Sequence, residues 1–135
     1  MIEVVTQRLL CEKAEIINPL LEEIADTSFG FHETTLVEGI CSGATTGWLM
    51  NDKALGITEI HNRPLQRVLF ISWLAGDNMD EWLAAWLSYL EDYARITQCV
   101  AIEFVGRIGF ERRFAELKPQ FPFRAERVAM RMEID

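Results

Sequence analysis

The feature that most constrains the fold is a strand–turn–helix unit in the middle of the chain. Residues 67–74 are rich in β-branched and aromatic side chains, and after Arg67 they are apolar on both faces apart from Ser72, a pattern typical of a central strand covered on both sides. Ala75-Gly76-Asp77 then predicts a turn, and residues 78–98 predict the longest helix. A strand that runs into a long helix begins a β–α–β crossover, so this unit predicts an α/β domain.

Before this unit the sequence predicts short elements with recognisable ends. Residues 2–6 alternate like a short strand, although the same residues equally fit the start of a helix. Asn18-Pro19 predicts a helix capped by the asparagine, with proline at its first position. Residues 33–41 predict a second helix, which Ser42-Gly43 closes.

The remaining segments predict strands and one more helix. They are a hairpin of residues 46–50 and 55–61, a turn at 62–64, a buried strand at 99–105, a helix at 108–117 and a half-buried terminal strand at 127–134. Antiparallel strands that feed a β–α–β unit predict a mixed, mainly antiparallel sheet with helices on both faces. The length of 135 residues fits a single domain, residues 1–135.

Charge and cysteine content narrow the function classes. The net charge of −8 speaks against general nucleic-acid binding. Residues 106–131 nevertheless hold seven basic and three acidic side chains, which predicts either a surface for an anionic partner or a solvated face that pairs with the acidic remainder. Cys11, Cys41 and Cys99 are far apart and lie among apolar neighbours, so we expect buried, reduced thiols.

No segment predicts a membrane or secretion signal. Apolar stretches end after about eight residues, well short of the roughly 20 that span a bilayer, and the N-terminus lacks a basic start followed by an apolar run. We therefore expect a cytoplasmic protein with no membrane partner.

The order of elements resembles the GNAT acyltransferase fold over nearly the whole chain. Several phrases, among them LVEGICSG, LFISWLAGDNMDEWL and VAIEFVGRIGFERRF, are similar to small phage-encoded GNAT-like proteins. In that fold, elements corresponding to residues 67–74, 78–98, 99–105 and 108–117 form the acyl-CoA-binding core. The resemblance implies acetyl-CoA as the cofactor of an active enzyme. It assigns the cofactor site to Ser72, Trp73, Leu74, Gly76 and Asn78.

Two departures from the GNAT pattern bear on activity. The family binds the CoA diphosphate with an (Arg/Gln)-x-x-Gly-x-(Gly/Ala) turn, whereas this turn lacks the leading Arg or Gln and adds Asp77, Asp80 and Glu81. Carboxylates at a helix start suit the helix dipole but repel a diphosphate, and Asn78 and Glu81 have capping-box spacing. The tyrosine that many GNAT enzymes use as general acid is also missing from residues 108–117.

Other residues are candidates for acid–base chemistry. Glu59 and His61 lie two apart on one strand face, which fits either an acid/base pair or a solvent-facing pair. Glu103 is a lone carboxylate in a buried strand, and it is either a base or half of an ion pair with Arg107 or Arg131. Ser72 fits either a substrate contact or a backbone hydrogen bond. Two histidines without clustered acids predict no metal site.

The resemblance implies three functional hypotheses. The first is a phage- or prophage-encoded protein with a degenerate acyl-CoA-binding turn, acting through protein partners in the virion or in head assembly, in the host cytoplasm or the particle. The second is an active N-acetyltransferase that uses acetyl-CoA on an amine, with Glu59, His61 or Glu103 as base. The third is a small host-directed inhibitor. A homo-oligomer is compatible with each.

Overall fold

The computed structural model describes residues 1–27, 32–105, 117, 120–126 and 129–134. Their helices are α1 (Gln7–Glu12), α2 (Ala14–Thr27), α3 (Glu33–Ser42) and α4 (Met79–Ile96). Their strands are β1 (Ile2–Val5), β2 (Thr46–Met50), β3 (Ala54–Arg63), β4 (Gln66–Gly76), β5 (Ala101–Val105), β6 (Arg124–Glu126) and β7 (Ala129–Glu133). None of the helices in these ranges is long and apolar enough to cross a membrane.

The strands form a mixed sheet, as the sequence predicted. Their hydrogen-bonded order is β1-β2-β3-β4-β5-β7-β6. β4 and β5 are parallel, whereas β1–β2, β2–β3, β5–β7 and β6–β7 are antiparallel. The long helix α4 joins the two parallel strands, so the predicted strand–helix–strand core is confirmed. The sequence did not predict β6, and the helix predicted at 108–117 falls outside the described residues.

The chain divides into two compact units. The first is Met1–Glu59 with Trp73–Trp82, and the second is Ile60–Ser72 with Leu83–Asp135. The first unit has a largely aliphatic core cluster, whose fully buried side chains include Ile17, Leu21, Ile24, Leu49, Leu55 and Ile57. In the second unit the fully buried side chains include Val68, Leu69, Trp86, Leu87, Leu90 and Ile102. The single domain expected from the chain length stays a prediction.

The helix start predicted at Asn18-Pro19 is wrong. Helix α2 begins at Ala14, because the carbonyl of Lys13 already accepts the N–H groups of Ile16 and Ile17 at 3.0 and 2.9 Å. Pro19 therefore lies inside the helix, where its missing N–H removes one intrahelical bond. Burial of the apolar face of α2 offsets that cost, since tertiary packing rather than local propensity decides most helix boundaries.

Two turns flank β3 and set the residues at which this strand begins and ends. Asn51 and Asp52 both have left-handed φ angles, of 51° and 54°, as expected for a tight hairpin turn between β2 and β3. The next turn, predicted at 62–64, is wrong in its placement, because β3 continues to Arg63 and only Pro64 and Leu65 form the turn. Arg63 therefore belongs to the strand, and its side chain lies over the sheet.

The cysteines only partly follow the prediction. Cys99 is 3% exposed and buried, as expected. The prediction of buried thiols is wrong for Cys11 and Cys41, which are both exposed. Each lies on a helix whose inward face is taken by leucine or isoleucine, namely Leu9 in α1 and Ile40 in α3. An apolar neighbour in sequence therefore points to a different side of the helix.

Lys13 ties three segments of the first unit together. Its ammonium nitrogen lies 2.8 Å from Glu3 Oε1 on β1 and 2.8 Å from Asp52 Oδ1 in the β2–β3 turn. The hydrogen bonds to Asp52 and Glu3 raise the pKa of Lys13 above its ordinary value of 10.5. A raised lysine pKa stabilises the folded state below the unfolded pKa, and this stabilisation is lost as the pH rises through the folded pKa.

Replacing Lys13 with methionine should therefore lower the melting temperature at pH 7 and have less effect in alkali. The measurement is the melting temperature of the wild type and of Lys13→Met between pH 7 and pH values above 10.5. Lys53→Met is the control, because the Lys53 ammonium lies 3.5 Å from a single carboxylate, Glu81, in an exposed pair. Equal effects of the two substitutions at pH 7 would contradict a special role for Lys13.

Candidate functional site

The candidate cofactor site is the turn between β4 and α4, which lies entirely in the first unit. β4 extends to Gly76 and α4 begins at Met79, so only Asp77 and Asn78 connect them. Gly76 has φ +121° and Asn78 has φ +58°. Two left-handed residues in so short a connection reverse the chain from strand to helix.

The reason for glycine at position 76 is visible in its surroundings. A Cβ atom placed there would lie 2.4 Å from the carbonyl oxygen of Lys53 and 2.5 Å from Ala54 Cα. These are backbone atoms at the start of β3, so they have little freedom to move. Gly76 is therefore required by strand packing, and its presence says nothing about a bound diphosphate.

Two internal hydrogen bonds end on backbone carbonyl groups of the turn. The indole N–H of Trp82 donates to the carbonyl of Asp77 at 2.8 Å, and the N–H of Glu81 donates to the carbonyl of Asn78 at 2.9 Å. In the predicted capping box the Glu81 N–H would instead bond to the Asn78 side chain. That prediction is wrong, because Asn78 adopts a left-handed conformation rather than the extended one of an N-cap residue.

The charges of the turn do not suit an anion. Asp77, Asp80 and Glu81 are exposed, and the cation described beside them is Lys53, 3.5 Å from Glu81. A phosphate near one of these carboxylates is repelled by on the order of 1–3 kcal/mol, depending on how far water and salt screen the pair. The residues present therefore do not fit the diphosphate of acetyl-CoA.

The other residues assigned to a cofactor lie on the preceding part of β4. Trp73 and Leu74 are half-buried in the first unit, where Trp73 packs against the aliphatic core. Ser72 belongs to the second unit, and its Oγ is buried without a hydrogen-bond partner among the described residues. The predicted backbone hydrogen bond of Ser72 is therefore not found among the described residues, and a contact with a substrate stays a prediction.

Glu103 is half of an ion pair, one of the two alternatives that the sequence left open. The residue is 7% exposed, and Arg63 donates to both of its carboxylate oxygens, at 3.0 and 2.8 Å. The partner described is Arg63, and an ion pair with Arg107 or Arg131, as predicted from the sequence, stays a prediction. Arg107 lies outside the described residues, and Arg131 is described only as the register partner of Glu103 on β7. A carboxylate held by a guanidinium fork is poorly placed to collect a substrate proton.

His61 and Phe70 form a second contact in the same unit. Their rings stack with centroids 4.7 Å apart and planes inclined by 14°. Phe70 is the register partner of Glu103 on the parallel strand. The stack joins β3 to β4, whereas the ion pair joins β3 to β5. Glu59, two residues before His61, is half-buried in the first unit, and the acid/base pair of Glu59 and His61 stays a prediction.

The sequence missed two residues that organise these regions. The sequence pattern places Arg63 in a turn. It indicates no role for Lys13, because the partners Glu3 and Asp52 are distant in sequence. In the described part of the chain no group of three or more His, Cys, Asp or Glu side chains is arranged to hold a metal ion.

Comparison with known proteins identifies the fold. No protein-family model and no curated protein matches the sequence. Solved structures match nevertheless, among them the NatC complex bound to Gag peptide and CoA, with a TM-score of 0.73, 11% identity, and coverage of 100% of this chain and 98% of that chain. A probable acetyltransferase matches with a TM-score of 0.71 and 12% identity, covering 94% of this chain and 91% of its own.

A third structure agrees with these two. The ribosomal-protein-S18-alanine N-acetyltransferase from Escherichia coli matches with a TM-score of 0.63 and 12% identity, over 100% of this chain and 94% of that chain. The chain therefore has the fold of the GNAT N-acetyltransferases, as its order of elements predicted. At such low identities the match concerns the fold alone.

Proposed function

We propose that this GNAT-fold chain acts through contacts with other proteins and does not use acetyl-CoA. The observation that carries the proposal is the β4–α4 turn, where strand packing requires the glycine and where Asp77, Asp80 and Glu81 are exposed. The resemblance to small phage-encoded GNAT-like proteins supports a role in the virion or in head assembly, with an origin in a phage or prophage.

The alternative function is an N-acetyltransferase that uses acetyl-CoA on an amine. It is favoured by the fold, because the NatC structure that this chain resembles was solved with CoA. Its base would come from Glu59, His61 or Glu103. The bidentate bond from Arg63 argues against Glu103, which leaves the two residues on β3.

Titration with acetyl-CoA separates the two functions. We expect neither heat of binding in calorimetry nor a shift in melting temperature at millimolar acetyl-CoA. A ligand present at 100 times its Kd stabilises the folded state by about 2.7 kcal/mol, so even binding with a Kd of about 10 μM is easily seen. Binding in the micromolar range would overturn the proposal and favour the acetyltransferase.

A matched variant tests the reason for the expected result. Asp77→Asn with Asp80→Asn removes two negative charges from the turn and leaves Gly76 and the Trp82 hydrogen bond in place. If repulsion by the carboxylates contributes to exclusion, the variant should bind acetyl-CoA more tightly than the wild type does. The virion role needs a separate test. If capsid and portal genes adjoin the gene for this chain, proteomic analysis of purified phage particles shows whether the protein is present in them.

A further inference from the structure

Three exposed apolar residues lie where β4 and β5 begin, within the second unit. Leu65 in the β3–β4 turn is 97% exposed, Ile96 at the end of α4 is 80% exposed, and Val100 directly before β5 is 40% exposed. Apolar residues that are exposed singly are ordinary on a protein surface. A contiguous group of them marks an interaction site, so their arrangement decides whether these three have a function.

Contacts of Arg67 bring the three residues together. The guanidinium Nη1 of Arg67 donates to the carbonyl of Thr97 at 3.0 Å, and Thr97 directly follows Ile96. The carbonyl of Arg67 accepts the N–H of Val100 at 2.8 Å. Leu65 precedes Arg67 by two residues along the chain. Leu65, Ile96 and Val100 therefore lie close to one arginine, and we call these three residues the apolar patch.

The charge beside the apolar patch is positive. The segments that meet there, residues 60–72 and 93–102, contain no Asp or Glu, although the chain has 21 acidic residues. Their other arginines, Arg63 and Arg95, are paired with carboxylates. Arg67 has no carboxylate partner in the described part of the chain, and its buried Nε has no hydrogen-bond acceptor there. The end of α4 supplies only about half a negative charge, so the guanidinium keeps a net positive charge.

We propose that the apolar patch and Arg67 bind a segment of a partner protein in which an apolar side chain stands next to a carboxylate. The inference rests on the proposed function, because it names a surface for the protein contacts proposed there. The apolar side chain of the partner covers Leu65 and Ile96, and its carboxylate accepts hydrogen bonds from Arg67. A guanidinium has five N–H donors, and the described residues supply an acceptor for one of them.

Charge favours such a segment over other occupants of an apolar surface. A second copy bound through the same patch would bring two Arg67 side chains together at a twofold axis, and a basic segment would meet the same repulsion. An uncharged apolar segment would remove water from the guanidinium without giving it an acceptor, which costs free energy. A carboxylate in the partner relieves that cost and so provides specificity.

Selection from a library of random peptides on the immobilised full chain tests the chemistry of the partner. We expect the enriched peptides to carry Asp or Glu beside Leu, Ile or Phe. The Kd of a synthetic enriched peptide, measured by fluorescence anisotropy, should rise about tenfold or more with Leu65→Ser or Arg67→Gln. Changing the acidic residue of the peptide to its amide should weaken binding to the wild type but hardly affect binding to Arg67→Gln, because the two groups act as one pair.

Two matched variants should leave the Kd unchanged. Val4→Ser removes an exposed apolar residue from the first unit, and Arg95→Gln removes an arginine that is already paired with Glu91 and Asp92. In nuclear magnetic resonance spectra of the wild type, the peptide should shift the amide signals of the apolar patch. If Arg67→Gln lowers the melting temperature, Leu65→Ser and these amide signals decide, because Leu65 is almost fully exposed and its replacement leaves the fold intact.

The proposal is overturned if no peptide is enriched on the wild type, or if the enriched peptides lack acidic residues. It is also overturned if they bind Leu65→Ser as tightly as the wild type, or shift amide signals away from the apolar patch. The proposed function fails on a different measurement, micromolar binding of acetyl-CoA. The two failures are therefore distinguishable.

Discussion

Replacing Gly76 with alanine should lower the free energy of unfolding by about 3–5 kcal/mol. A left-handed φ of +121° costs an alanine residue about 1–3 kcal/mol, and a methyl group forced into a filled space costs about 1–3 kcal/mol more. The crowding is severe because the new Cβ would meet the backbone at Lys53 and Ala54, at 2.4 and 2.5 Å. Denaturation by urea, followed by circular dichroism, measures the loss.

Gly43 provides the control for this prediction. It also has a left-handed φ, of +83°, at the end of α3, but a Cβ there would meet nothing within 4 Å. Gly43→Ala should therefore cost only about 1–2 kcal/mol, the conformational part alone. If both substitutions cost the same, the contact with β3 is not the reason for glycine at position 76.

This prediction also changes how a cofactor experiment must be designed. Loss of acetyl-CoA binding after adding bulk at Gly76 would report unfolding as readily as a blocked site, because the space beside it is already filled by β3. Asp77 and Asp80 are better positions for substitution, since both are exposed. Their side chains carry the negative charge to which our proposal attributes the exclusion of a diphosphate.

The sequence predicted the centre of the fold because its signals are local. A largely apolar run followed by apolar residues at helical spacing defines β4 and α4 from neighbouring residues alone. The function of Gly76 was not predictable in that way. Its neighbours Lys53 and Ala54 come from a hairpin more than twenty residues earlier, and only the pairing of strands brings them together.

The ion pair of Glu103 likewise depends on residues that are far apart in sequence. The sequence indicated that Glu103 needs a partner, since a carboxylate in an apolar strand is otherwise destabilised. It did not indicate which arginine, because Arg63 and Glu103 are 40 residues apart and meet across the strand order of the sheet. The sequence pattern places Arg63 in a turn, because it ends the predicted strand at residue 61, two residues before the end of β3.

Replacing Arg63 with methionine should lower the free energy of unfolding by about 2–3 kcal/mol. Removing one member of a fully buried ion pair costs about 3–5 kcal/mol, because the remaining charge keeps its desolvation penalty. Glu103 is buried, but 38% of the Arg63 side chain is exposed, so water partly replaces the lost guanidinium. Methionine keeps much of the apolar length of the arginine, so the loss reports the two charge-assisted hydrogen bonds rather than packing.

Two further variants separate this ion pair from an ordinary surface pair. Arg8→Met breaks the exposed pair of Arg8 and Glu12, with 85% and 53% of the side chains exposed, and should cost no more than about 0.5 kcal/mol. Arg63→Met combined with Glu103→Leu should recover most of the stability lost by Arg63→Met, because the buried charge is gone. If the double variant is instead less stable than Arg63→Met, Glu103 stabilises the second unit through contacts other than Arg63. The ion pair would then not be the reason for a carboxylate in β5.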